Sequence, residues 1–291
     1  MATRKSPSKT AASRKRISTS QHPTRTTNAS VNTSRRRVAE KPVAIESVEA
    51  VEVIETSATR GGFYNRYPVA ALIAEFLGTF MFVAFAVVTQ VNPLYSFFGL
   101  IAIVILFGRL SGPYLNPAAT IGSWLTRNIS GRTALFYIIA QVLGGLAAFG
   151  VLTLLTGGAT TTNSYTGASS AASLYSIAAL SAKNQWYTFA AELIGSIILG
   201  FGIATALTRN NALIRGFVYG GSFLIASFIV YASGAFAIIN PVLAGALQAY
   251  SHINWATFNL FPVLVYIIAP VVGASLGFGL YKIIEKSTIT E

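Results

Sequence analysis

Beyond Arg66 the chain is a succession of apolar runs parted by short polar or basic joints, and the runs come in two lengths. Six of them, 69–90, 94–108, 133–155, 186–208, 216–231 and 260–284, reach or approach the roughly 20 residues that carry a helix across about 30 Å of hydrocarbon, the second and fifth falling short. Two others, 116–125 and 240–250, are half as long, and each opens on an Asn-Pro step. Asn offers a side-chain oxygen to free helical N–H groups and Pro already holds the first helical φ, so these steps predict helix starts in apolar surroundings. Irregular backbone at that depth persists only where protein or a water-filled cavity satisfies it, which makes the two short runs re-entrant half-helices. The predicted fold class is an all-α membrane protein with six transmembrane helices and two half-helices. It occupies 67–285, between a tail at 1–66 and a short cytoplasmic end at 286–291.

The runs also repeat. Ala74-Glu75-Phe76-Leu77-Gly78-Thr79 in the first span matches Ala191-Glu192-Leu193-Ile194-Gly195-Ser196 in the fourth, and each copy is followed by its Asn-Pro step. The two Glu lie 117 residues apart and the two Asn 124, so halves near 67–156 and 185–285 correspond with a small insertion. Three spans per half is an odd number, so the second copy enters the membrane inverted and the half-helices approach each other from opposite faces. A further step, Asn92-Pro93, lies a few residues past the first span and predicts a turn. Arg109, Arg127, Arg132, Arg209, Arg215, Lys282 and Lys286 fall in joints on the tail's side and only Lys183 on the other, which predicts cytoplasmic termini and a cell-membrane location.

Composition agrees and removes other classes. A chain that is 53% hydrophobic and 10% charged, with a mean hydropathy of +0.58, is too apolar for a soluble domain of this length. Cys and Asp are both absent, and His22 and His252 sit in the tail and an outer joint, so no nucleophile, base and orienting group stand in a usable spacing. No enzyme activity, cofactor or metal site is expected. The net charge of +12 is concentrated in 1–66, where 13 Lys and Arg face 5 Glu among Ser and Thr. That segment has too little apolar surface for a core and reads as a disordered cytoplasmic tail, with contact to anionic lipids ahead of contact to nucleic acid. The polar stretch 164–181 joins the halves on the outer side, either folded over the mouth or mobile. Glu75 and Glu192 are the only carboxylates among the spans. Burial there demands a partner or a purpose, and proton-coupled transport and protonated core packing both remain open.

The residues Ala74-Glu75-Phe76-Leu77-Gly78-Thr79-Phe80, Ser111-Gly112 ahead of Asn116-Pro117-Ala118, Ala140-Gln141-Val142-Leu143-Gly144 and the turn at 270–273 together resemble the aquaporin, or major intrinsic protein, family over roughly 68–282. The resemblance implies a homotetrameric, passive channel in the lipid bilayer for water or small uncharged solutes such as glycerol. Asn116, Pro117, Ala118 and Asn240, Pro241, Val242 would form its pore motifs, with Glu75 and Glu192 supporting the half-helix loops. Each Asn would aim an N–H at a passing oxygen, while two helix N-termini facing one point exclude cations and protons. The chain departs from the pattern at Leu243, where the family commonly has an arginine, and at Val242, which adds bulk beside the second Asn. Phe228, Ala237 and Ser96 or Phe97 are the remaining candidates for the constriction, by counting back from the two Asn. Arg109 and Tyr114 stand where the family often has histidines, and Arg109 reads as an interfacial anchor. A poorly conducting assembly or adhesion protein of the same fold remains the alternative, followed by an inverted-repeat transporter using Glu75 or Glu192.

Overall fold

A computed structural model describes residues 69–156, 177, 179–180 and 183–289. The chain divides into Met1–Glu55 and Thr56–Glu291, and everything described belongs to the second unit. The basic tail and most of 164–181 lie outside the described residues.

The first repeat comprises α1 (Val69–Val88), α2 (Pro93–Phe107), the half-length α3 (Pro117–Leu125) and α4 (Gly131–Thr156). The second comprises α5 (Gln185–Leu207), α6 (Ala212–Tyr231), the half-length α7 (Pro241–Ala246) and a last span. That span starts as α8 (Phe261–Val263), passes through a π-helical turn at Leu264–Ile268 and continues as α9 (Ala269–Ile289). Among the described residues five helices are long and apolar enough to cross a membrane, so the chain is a multi-pass integral membrane protein. The sixth, α2, has 15 residues and rises only about 22 Å at 1.5 Å per residue.

Asparagine starts the helices in both halves. Asn92 Oδ1 accepts from the N–H groups of Leu94 and Tyr95 at 3.0 and 3.4 Å, and Asn211 Oδ1 from those of Leu213 and Ile214 at 2.9 and 3.1 Å. Asn92-Pro93, expected to make a turn, therefore begins α2, with Pro at its first helical position. α6 likewise begins four residues before its apolar run. Arg215 can stand inside it because its guanidinium donates to the carbonyls of Gly108 and Arg209, which ties the α5–α6 joint to the end of α2. α7 is shorter than the 240–250 run predicted. Gln248 turns left-handed at φ 56°, and Tyr250 Oη, in the 3-10 turn Ala249–His252, folds back to donate to the Pro241 carbonyl at 3.0 Å.

Glycines let the spans touch through their backbones, as membrane helices do when no water drives them together. A Cβ on Gly144 of α4 would collide with the Phe76 carbonyl of α1, and one on Gly273 of α9 with the Leu193 carbonyl of α5. These contacts are equivalent, each one residue past the Glu of its repeat, so α4 sits on α1 as α9 sits on α5. Between the halves, Gly220 of α6 lies against α2, where a Cβ would stand 2.8 Å from the Phe97 carbonyl oxygen. On one face of the molecule Lys282 of α9 donates to the Thr126 carbonyl at the end of α3, setting a cation on the negative end of that half-helix. Of the linker, Ile177 is buried against the second repeat: its N–H donates to the Leu247 carbonyl at 3.3 Å, and His252 Nε2 lies 2.9 Å from the Ile177 carbonyl oxygen.

Gly144→Leu is expected to force α4 off α1 and cost about 1–3 kcal/mol or more, the range for overpacking a filled interface. The lowered unfolding temperature in detergent is to be compared with Gly150→Leu on the same helix, where a Cβ meets nothing within 4 Å and little change is expected.

Candidate functional site

The two half-helices start at the same place in the molecule, and their caps bind each other. Asn116 and Asn240 both hold extended backbone, φ −156° and −150°, and each Oδ1 accepts the N–H two residues on, from Ala118 at 2.9 Å and from Val242 at 3.0 Å. With their oxygens so fixed, the amide nitrogens point across. Asn116 Nδ2 donates to the Ile239 carbonyl at 2.7 Å, and Asn240 Nδ2 donates to the Leu115 carbonyl at 2.9 Å. Each amide nitrogen carries two N–H groups, so this reciprocal pair leaves one on each Asn uncommitted to it.

The residue before each Asn is left-handed, Leu115 at φ 52° and Ile239 at φ 39°. Such a conformation costs of order 1–3 kcal/mol for a residue with a Cβ, more readily so for β-branched Ile, and persists only when its surroundings impose it. The imposing groups are the two buried carboxylates. Glu75 accepts from the N–H groups of Tyr114 and Leu115 at 3.0 and 2.9 Å, and Glu192 from those of Ile238 and Ile239 at 2.9 and 2.7 Å. Of the three roles open to these Glu, the geometry is that of loop support, one oxygen to each of two successive N–H groups.

The support is unequal between the halves. Gln141 Nε2 donates to Glu75 at 2.7 Å and to Thr120 Oγ1 at 2.9 Å, and Thr120 Oγ1 in turn donates to the Asn116 carbonyl at 3.0 Å. Since Gly144 and Gly273 are equivalent, the partner position of Gln141 is Pro270, which has no side-chain donor. The sequence reading gave Gln141 no role, although a lone amide within an apolar helix was the available signal. It also passed over Tyr219, a buried residue of α6 whose hydroxyl donates to the Tyr114 carbonyl at 2.8 Å and so ties the first half-helix loop to the second repeat. The Tyr114 side chain itself is buried, with its ring beside Tyr137 and its hydroxyl accepting from Ser123 Oγ at 3.0 Å. Arg109 is exposed on the same side of the molecule as Arg215.

The candidate constriction residues separate into two groups. Ser96, Ala237 and Leu243 are fully buried, and Ser96 Oγ has no hydrogen-bond partner. Phe97 instead turns toward the α2–α6 seam, its ring 6.0 Å from that of Phe217. Phe228 stands at 62% exposure on the outer face of α6 beside Ile225, and the inward position of that turn is Ser227. A count back from Asn240 fixes no face of α6, and Phe228 stands on the outward one. Val242 also differs from expectation. Its Cγ1 fills the notch above Gly145 of α4, so the added bulk is directed into a helix contact. Beside it, an apolar cavity of about 460 Å³ lies between α4 and α7, with Pro117 and Pro241 in its wall.

Comparison with known proteins identifies the family. A family model described as Major intrinsic protein matches residues 65–281. Aquaporin AqpM of Methanothermobacter marburgensis is 28% identical over 247 residues, covering 72% of this chain and 95% of the relative. A probable aquaporin of the NIP type from Nicotiana alata is 27% identical over 74% of this chain and 78% of its own length. Among solved structures, the aquaglyceroporin from Plasmodium falciparum aligns with a TM-score of 0.57 at 21% identity, covering 76% of this chain and 98% of that one, which supports the fold.

Glu192→Gln replaces one acceptor oxygen with an NH2 group facing a buried N–H donor. We expect a loss of about 1–3 kcal/mol, the penalty of an unsatisfied buried donor, measured as a lower unfolding temperature in detergent. An unchanged temperature would show that the left-handed Ile239 holds its conformation without the carboxylate.

Proposed function

This chain belongs to the major intrinsic protein family, multi-pass membrane channels for water or small solutes rather than enzymes, and from that premise we propose that it conducts neutral solutes past the Asn116–Asn240 pair while rejecting cations and protons. The observation carrying this reading is the reciprocal amide-to-carbonyl bonding, which fixes both side chains and leaves each with one N–H to offer. An oxygen in transit accepts from both amides at once. A water held in that way presents its hydrogens outward to either side, which interrupts the chain of hydrogen bonds a proton would follow. Two half-helix N-termini, each equivalent to a fraction of a positive charge, raise the potential where the amides meet and oppose cation entry.

The absence of a fixed cation at Leu243 supports a constriction less polar than the family's usual one, suited to a neutral solute with some carbon surface. Ser96 Oγ, buried and unpartnered, is the polar group we assign to the same region. Arg109, Arg209, Arg215 and Lys282 lie toward the cytoplasm in this reading, by the excess of positive charge on that side. The exposed apolar faces of the spans meet lipid or neighbouring copies in a homotetramer, and the basic tail lies against anionic headgroups.

Stopped-flow swelling of proteoliposomes tests the whole reading. Water and glycerol permeation should exceed those of empty vesicles and be independent of pH and sodium. No excess would favour a role in assembly or adhesion, and dependence on an ion gradient would favour coupled transport. Leu243→Arg is expected to lower glycerol permeation more than water permeation, and an equal change in both would remove residue 243 from the constriction. Asn240→Asp, which sets a carboxylate at the positive focus, is expected to admit cations in planar-bilayer recordings.

A further inference from the structure

The two repeats meet along two seams that are closed in different ways. At the first, α2 and α6 press their backbones together: a Cβ on Gly216 would stand 3.1 Å from the Ile101 carbonyl oxygen, and one on Gly220 2.8 Å from that of Phe97. At the second, α4 and the last span are not a packed pair, and the half-helices sit between them. α3, with nine residues, fills its part of this seam, since a Cβ on Gly122 would stand 3.0 Å from the backbone of Ala274 in α9. α7 has six residues and is about 4.5 Å shorter at 1.5 Å per residue. Val242 lodges on Gly145, the equivalent of Ala274, and beside that contact lies the apolar cavity of about 460 Å³. The opening is thus on the side of the shorter half-helix.

The cavity opens sideways, toward what surrounds the spans. Val142 and Leu146 of α4, both in its wall, are 40% and 62% exposed, and Gly245 of α7 is exposed through the gap. Val142 and Leu146 stand near the middle of the 131–155 span, so the opening meets the hydrocarbon of the bilayer rather than its headgroups. The charges of the two flanking helices are distant. Arg132 is ten residues from Val142, and Lys282 is fifteen from Ile267, the wall residue of the last span, which is about 15 and 22 Å along the helix axes. The Tyr250 hydroxyl, the one polar side-chain group in the wall, already donates to the Pro241 carbonyl at 3.0 Å. A void so lined forfeits dispersion contacts along its whole surface and takes apolar guests within reach. Its volume falls in the range of small-ligand sites.

We propose that this cavity is a binding site for a single acyl chain of a bilayer lipid, which enters between α4 and the last span and completes the packing behind α7. The site recognises hydrocarbon and not a headgroup. The proposal goes beyond the channel reading and does not depend on it, because it concerns the outer wall of the half-helix and not the passage.

The test places the full chain in phosphatidylcholine vesicles that contain phosphatidylcholine with a diazirine at the middle of one acyl chain, and maps the photoadducts by mass spectrometry. Adducts at Val142, Leu146 and Gly245 should exceed those at Leu135 of α4 and Leu276 of α9, which are 56% and 50% exposed elsewhere on the flanking helices. Two variants fill the site from opposite sides. In Gly245→Leu the new Cβ meets the Tyr250 ring at 3.6 Å and has the cavity beyond it, and Leu146→Trp closes the mouth from the exposed face. In either variant, with the unfolding temperature of wild type as the check on folding, adducts at the remaining wall positions should fall about tenfold, the change expected when roughly two methylenes lose a buried site. Adducts at Leu135 and Leu276 should stay as they were. Wall labelling no greater than at those two positions, or unmoved by both variants, would overturn the proposal and leave ordinary surrounding lipid. The chain has no cysteine, so Leu146→Cys gives a single thiol. Oxidative cross-linking of that thiol into dimers in the same vesicles would place a second copy over the seam and likewise overturn it.

Discussion

Irregular backbone inside hydrocarbon has no water to satisfy it, and this fold depends on how that constraint is met where two half-helices meet. Each broken end is satisfied by the other: the amide of one cap takes the carbonyl that the opposite loop exposes, and two buried carboxylates collect the N–H groups that would otherwise be stranded. The same bonds hold Leu115 and Ile239 in a conformation that neither side chain favours. The geometry of the paired caps is thus over-determined, and it is assembled from both repeats.

The two halves follow one plan and differ in how firmly they execute it. Gln141 and Thr120 extend the first carboxylate's network to the carbonyl of its own Asn, while the second carboxylate has backbone donors and a proline at the matching position. The first half-helix has nine residues and a lysine at its far end, and the second has six and ends in a left-handed turn held by Tyr250.

Much of this was legible in the sequence because membrane helices announce themselves by run length and the repeat by its Glu and Asn-Pro pairs. The span ends matched to within a few residues except where a polar group was made welcome by a partner, as Arg215 was by the carbonyls of Gly108 and Arg209. Asn92 closes a turn from Thr89 and caps the helix that follows, so one local spelling serves both. The constriction was read least well. A linear count fixes depth but not azimuth, and Phe228 and Ser227, adjacent in sequence, face opposite ways. Contacts such as Tyr219 to Tyr114, or Phe82 to Phe223, join residues more than a hundred positions apart and leave no local trace.

The lodging of Val242 above Gly145 bears on how this lineage can change. A residue beside the second Asn whose side chain lodges on a neighbouring helix is answerable to that helix. Positions 242 and 145 should then drift as a couple, large opposite small. Alanine at 242 would instead leave an empty space between two helices.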